Sequence, residues 1–269
     1  MKKTCGLTRV SSMTVNRFRD GEFAEVNKVG NPLEDASVNV RREDEWQEIW
    51  PSVDIPDSGA LQYHIAARLD DTHSQGDPVT TIPDHANGFD LSGGSPTFEA
   101  DVLNGEPVYR FDGIDDELEH DDATISQPYT VFAVVKGGDT NDEEAIWSSH
   151  SGTAGSDRAA LDIRYGDDEY LLFAGETVSG GTPDTNYHIV TSVVDGSNSL
   201  VRVDGTEITS GDAGNFDLDG LMVGDTYTTV DRHLDGDLAE LPLYPDRRTS
   251  QQIDDVEGAL SDIYGISLA

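Results

Sequence analysis

Lysine is nearly missing from this chain: four residues (Lys2, Lys3, Lys28, Lys136) in 269, the other 13 basic residues being arginine. Against these 17 cations stand 53 carboxylates, 36 Asp and 17 Glu, for a formal charge of −36. A surface of that sign repels phosphate backbones and anionic headgroups, which excludes a nucleic-acid-binding role. Cysteine is down to Cys5 alone, so no intrachain disulfide forms. No apolar run has the length of a membrane span, and no membrane insertion is expected. The opening MKKTCGLTRV has the basic residues of a secretory signal, but Arg9, Ser11 and Ser12 break the apolar stretch that such a signal needs. The expectation is a protein that reaches the outside by cell lysis, as a virion component does. Also missing are a Gly-x-Ser-x-Gly nucleophile elbow, a phosphate-cradling glycine loop and, among seven histidines, any His-Glu-x-x-His spacing.

What is abundant is aspartate. An Asp-rich, Lys-poor surface holds water and counter-ions, and its self-repulsion is screened once the Debye length falls to ~3 Å near molar salt. The composition therefore reads as adapted to brine. Apolar residues at 36% in regular runs argue against charge-driven disorder. The charge is uneven: residues 1–57 carry eight basic and eleven acidic residues, whereas 58–269 carry nine and 42. Between them lies PSVDIPDSG (51–59), whose prolines, glycine and aspartates are linker chemistry. A nearly neutral segment in an otherwise acidic protein is expected to be covered by another protein.

Beyond the linker the pattern is β. The runs 129–136 (YTVFAVVK), 159–165 (AALDIRY), 170–175 (YLLFAG) and 187–195 (YHIVTSVVD) read as strands separated by Gly, Asp and Asn. SLVRVDGTEI reads as a hairpin turning on Asp204-Gly205. Many short strands without a repeating helix predict a mainly β sandwich or jelly roll. Thr249 with Gln252 as a capping box, apolar Ile253, Val256, Leu260 and Ile263, and Gly265 as a stop predict one closing helix.

Three segments resemble the concanavalin A-like, laminin-G-type jelly-roll modules. Pro83, Asp84, Asn87 and Gly88 match the family's opening turn; Gly105, Pro107, Arg110, Phe111, Asp112, Gly113, Asp115, Asp116 and Leu118 match "G-x-P-x-x-R-F-D-G-x-D-D-x-L". PYTVFAVVK matches the next strand, and LDGDLAELPLYPDRRTSQQIDDVEGALSDIYGI (234–266) matches the closing strand plus helix. The sequence departs where Ile263 replaces a lysine and where YHIAARLDD (63–71) lacks the usual tryptophan. The resemblance spans residues 60–266 and implies a concanavalin A-like sandwich that binds carbohydrate or protein. A minority of such modules hydrolyse glycosides.

A glycosidase needs two carboxylates a fixed distance apart on one sheet face. The alternating Glu-x-Asp-x-x-Glu strand of the glucan hydrolases is not found; the nearest candidates are Asp235, Asp237 and Glu240, and Glu240 falls where the binding relatives keep a structural acid. The expectation is accordingly no enzyme and no catalytic residue. Calcium is the one cofactor the resemblance admits, at Asp112, Asp115, Asp116, Asp121 and Asp122, although a solvated acidic surface is the preferred reading of that run. Sugar binding calls for aromatic and polar groups on loops at one edge. Loops 146–158 and 224–233 supply Trp147, Tyr227, Arg232 and His233 as the ligand-binding candidates.

The N-terminal part says one phrase twice, VNRFRDGEFAEV (15–26) and VNVRREDEWQEI (38–49): five positions are identical and three conservatively replaced. Each copy reads as a hairpin with Asp20-Gly21 or Glu43-Asp44 at the tip, too small to stand alone. The pattern resembles one at the starts of tailed-virus virion proteins. The expectation is two modules: residues 1–57 attach to other virion proteins through Arg19, Phe23, Arg42, Trp46 and Trp50, and residues 58–269 project outward. The whole would be a surface protein of a haloarchaeal tailed virus (tail fibre, receptor-binding protein or capsid turret), a homo-oligomer that binds a host cell-surface glycan or glycoprotein. The rivals are a secreted halophilic polysaccharide-binding protein and a glycoside hydrolase of the same fold.

Overall fold

The computed structural model describes residues 38–42, 45–49, 54–138, 143–150, 158–226 and 232–269. The chain divides into two compact units, Met1–Val53 and Asp54–Ala269. In the first, β1 (Val38–Arg42) pairs antiparallel with β2 (Glu45–Ile49), from Val38↔Ile49 to Arg42↔Glu45. The second copy of the repeated phrase is therefore a hairpin with residues 43 and 44 between its strands. The first copy, with Arg19 and Phe23, lies outside the described residues, as does Trp50. Arg42 and Trp46 sit on the paired strands.

The second unit is a jelly-roll-like sandwich of two antiparallel sheets. Its strands are β3 (Tyr63–Ala66), β4 (Thr81–Ile82), β5 (Leu91–Gly93), β6 (Thr97–Leu103), β7 (Glu106–Asp112), β8 (Leu118–Ile125), β9 (Tyr129–Gly137) and β10 (Glu144–Ser148). They continue with β11 (Ala160–Arg164), β12 (Glu169–Phe173), β13 (Thr177–Gly180), β14 (His188–Val194), β15 (Ser199–Val203), β16 (Thr206–Gly211), β17 (Leu218–Val223) and β18 (Asp235–Tyr244). One sheet runs β16-β15-β14-β9-β18-β7-β6, with β3 also paired to β18; the other runs β13-β12-β11-β10-β17-β8-β5-β4. Helix α1 (Ser250–Tyr264) follows.

Period-two alternation explains the layering. On β9, Val131, Ala133 and Val135 face the core between the sheets, while Phe132 and Val134 face a second cluster with Ile253, Val256, Leu260 and Tyr264 of α1. Thus β9, at the centre of the first sheet, is buried on both faces and reads as a continuous apolar run. Thr249 caps the helix as expected: its hydroxyl accepts from the Gln252 N–H at 3.3 Å, and the Gln252 side-chain oxygen accepts from the Thr249 N–H at 3.0 Å. Gly265 closes it at φ 67°. The β15–β16 hairpin turns on Asp204 and Gly205, with φ 47° and 82°.

Two expectations shift. Residues 55–57 belong to the sandwich: Ile55 is buried under α1, and the Pro56 carbonyl accepts a hydrogen bond from the Tyr244 hydroxyl. The unit boundary thus lies four residues before residue 58. The first strand, left uncertain by the missing tryptophan, is β3, its Tyr63 wholly buried in the core. Among the described residues no helix is long and apolar enough to cross a membrane.

Candidate functional site

The two sheets differ on their outward faces. The first is covered by α1, whereas no helix among the described residues covers the second. On β11, Leu161 and Ile163 point into the core, so the intervening Asp162 and the following Arg164 point away from it. Their cross-strand neighbours are Leu171 for Asp162, Glu169 for Arg164 and Phe173 for Ala160.

Around this stripe three arginines converge. Arg232 Nη1 donates to Asp162 Oδ2, and Arg232 Nε lies 2.7 Å from Glu143 Oε2. Glu143 Oε1 in turn accepts from Arg164 Nε at 2.9 Å, and Arg164 also reaches Asp167 at 2.6 Å and Glu169 at 3.2 Å. The Arg158 guanidinium sits 4.9 Å from the centre of the Phe173 ring, a cation–π contact. Because Arg232 lies over it, Asp162 is fully buried although it faces outward. Burial pushes its carboxyl up to about 6, against the pull of Arg232 and Arg158. Asp162 Oδ1 and Arg158 Nε have no hydrogen-bond partner among the described residues. Arginine and carboxylate side chains interleaved on a sheet face offer donors and acceptors side by side, the chemistry that pairs with a run of hydroxyl groups.

The four ligand-binding candidates fall apart in part. Arg232 belongs to this region, His233 lies instead beside Asp225, its Nδ1 3.6 Å from Oδ2, and Tyr227 lies outside the described residues. Trp147 is a correction: it is no surface aromatic but, among the described residues, the largest fully buried side chain, its ring 6.2 Å from that of Tyr129 at 72°. The cause is a β-bulge between Ala145 and Trp147, which lets Ile146 and Trp147 both join the core. Sequence reasoning passed over Glu143, Arg158, Asp162 and Arg164. Arginine scarcity was the available signal: Arg158, Arg164 and Arg232 are three of the nine basic residues in 58–269.

The carboxylates of β18 are engaged elsewhere. Glu240 is wholly buried, and its two oxygens accept from His64 Nε2 (2.6 Å), Arg68 Nη2 (3.0 Å), Arg68 Nε (2.8 Å) and the Tyr264 hydroxyl (2.7 Å). Burial pushes its carboxyl up, but the hydrogen bonds from His64 and Arg68 outweigh that and hold it below the ordinary value. Asp237 is clasped by Arg110 at 2.7 and 3.0 Å and accepts from the Tyr187 hydroxyl. In the acidic run, Asp112 accepts from the Ile114 N–H (2.9 Å), and Asp116 accepts from the Ser95 and Asp112 N–H groups, both at 3.1 Å. These two carboxylates close a turn.

No family model and no curated protein sequence matches the chain. Solved structures do resemble it. A Trypanosoma rangeli sialidase in complex with the inhibitor DANA aligns with a TM-score of 0.55 at 14% identity, over 82% of this chain and 42% of the sialidase. The binding domain of botulinum neurotoxin serotype D/C aligns with a TM-score of 0.54 at 7% identity, over 76% of this chain and 53% of that one. The chain spans less than half the length of the sialidase and about half that of the toxin domain. At such identities the likeness is one of architecture, and what it shows is that the chain folds as an antiparallel jelly-roll-like β-sandwich.

Proposed function

We propose that the sandwich is a glycan-binding module of laminin-G type, displayed by a haloarchaeal tailed virus as a tail fibre, receptor-binding protein or capsid turret. The observation that carries the glycan reading is the outward face of the second sheet, where Arg158, Arg164 and Arg232 interleave with Glu143, Asp162 and Glu169 beside Phe173. In a module so short of cations, three arginines gathered on a face that no described helix covers are a concentration of hydrogen-bond donors suited to sugar hydroxyls. The sialidases that share the fold are consistent with that ligand class. Binding rather than hydrolysis is favoured because Asp237 and Glu240 are both locked in ion pairs, and Glu240 is held ionised where a general acid needs a raised carboxyl.

In this reading the near-neutral residues 1–53 attach to other virion proteins and copies of the chain assemble cyclically. The surface charge suits work outside the cell in brine. Binding to isolated cell-surface glycans of haloarchaeal hosts, measured by calorimetry in molar salt, tests the ligand. Wild type binds, and Arg164→Ala and Arg158→Ala weaken binding about tenfold each, the equivalent of one charge-assisted hydrogen bond. Glycan binding unchanged in both variants refutes the site. Mass spectrometry of purified particles tests the location, which fails if the protein is absent from them.

A further inference from the structure

We infer that Glu117, Asp225 and His233 form a binding site for one divalent transition-metal ion of zinc-like preference at the rim of the sandwich. The three residues come from two connections: Glu117 lies just before β8, and Asp225 and His233 lie near the two ends of the connection between β17 and β18. One carboxylate oxygen of each acid and one ring nitrogen of the histidine all lie within 4.8 Å of one another. His233 Nδ1 stands 3.6 Å from Asp225 Oδ2, too far for a hydrogen bond. That gap suits two ligands of one ion with bond lengths of about 2.0–2.2 Å.

The backbone beneath these side chains is fixed. The Arg232 N–H donates to Asp225 Oδ1 at 3.0 Å, leaving Oδ2 as the oxygen nearer His233. Such a bond to the far oxygen of a carboxylate is the kind of support that orients metal ligands. The Ser148 hydroxyl donates to the Asp225 carbonyl at 3.0 Å, and the Leu234 N–H donates to the Gly224 carbonyl at 2.8 Å, closing the two ends of the β17–β18 connection on one another. Gly224 has φ 89°, and a Cβ there would lie 2.5 Å from the Phe111 ring, so the approach to Asp225 requires glycine. On the other connection, the Glu117 carbonyl accepts from the Gly94 N–H.

Nitrogen in the donor set decides the class: calcium collects six to eight oxygens, whereas zinc takes imidazole with carboxylates and keeps a fourth position for water or a ligand. The His233 and Asp225 side chains are 14% and 13% exposed, which leaves an entry path. The inference stands independently of the glycan reading, since no arginine side chain takes part.

The test is a titration of the chelator-stripped full chain with Zn²⁺ and with Co²⁺ in ~1 M NaCl, where a Debye length of ~3 Å suppresses diffuse cation condensation on the acidic surface. One equivalent of Co²⁺ is expected to bind with the visible spectrum of a nitrogen-containing inner sphere, and Zn²⁺ to displace it. His233→Ala and Glu117→Gln are both expected to lose the saturable equivalent while unfolding in chelator at the same denaturant concentration as wild type. If His233→Ala does not fold, Glu117→Gln, which preserves side-chain shape, decides. Absence of saturable binding overturns the site, as does an undiminished equivalent in the variants. Displacement of Zn²⁺ by equimolar Ca²⁺ overturns the assigned class.

Discussion

Glu240 and Asp162 are both fully buried carboxylates that face away from the core, one on each sheet, and both meet arginine. Their surroundings differ. Each Glu240 oxygen accepts two hydrogen bonds from His64, Arg68 and Tyr264, and the group is held ionised. Asp162 has one oxygen on Arg232 and the other without a partner among the described residues, and its carboxyl sits up at about 6. A satisfied buried acid ties β3, β18 and α1 together as a structural joint. An under-satisfied one among arginines, on a face that no described helix covers, is a standing electrostatic cost, and the proposed glycan site is placed there.

Removing each acid breaks the comparison most directly. Glu240→Ala leaves the mostly buried Arg68 without a counter-ion and is expected to cost about 3–5 kcal/mol, read as a lowered denaturation midpoint in molar salt. An unchanged midpoint would show that the Glu240 joint carries no stability.

Asp162→Asn gives a smaller effect with a distinctive pH signature. A carboxyl raised in the fold binds its proton more tightly there than in the unfolded chain. Its favourable contribution is full below the unfolded value of about 4 and is lost as pH rises to about 6, a change on the order of 2 kcal/mol. Glu240 has the opposite sign, its contribution being present above the unfolded value and lost as pH falls through the lowered folded one. Between pH 4 and 6 the wild type should lose Asp162-linked stability, and Asp162→Asn should flatten that slope in unfolding curves collected across the range. An identical slope in the variant means that Asp162 is ionised in the fold like any surface acid.

Tyr264→Phe sharpens the comparison from the structural side. It removes one of four bonds to Glu240 while Arg68 and His64 remain, so a loss of about 1–2 kcal/mol is expected by denaturant unfolding. A loss as large as that of Glu240→Ala would place most of the joint in the tyrosine.

Features governed by neighbours a few residues away are legible in the sequence. The alternation of β9 and the positive φ pair at Asp204-Gly205 depend on local sterics, as do the Thr249 capping box and the Gly265 stop. The candidate site on the second sheet is legible only at Arg232. Trp147 reads as a loop aromatic because WSSHSG is turn chemistry; the bulge that turns it inward is a property of pairing with β11, which no local pattern encodes.

By itself, then, the sequence determined the acidic, lysine-poor composition, the alternating strands and the capped helix, since composition and short-range periodicity suffice for those. Tertiary structure decided which carboxylates are buried and which are satisfied. It alone brought Glu143, Arg158, Asp162 and Arg232 to one face, and Glu117 to the rim beside Asp225 and His233, because sheet register joins residues separated by tens of positions.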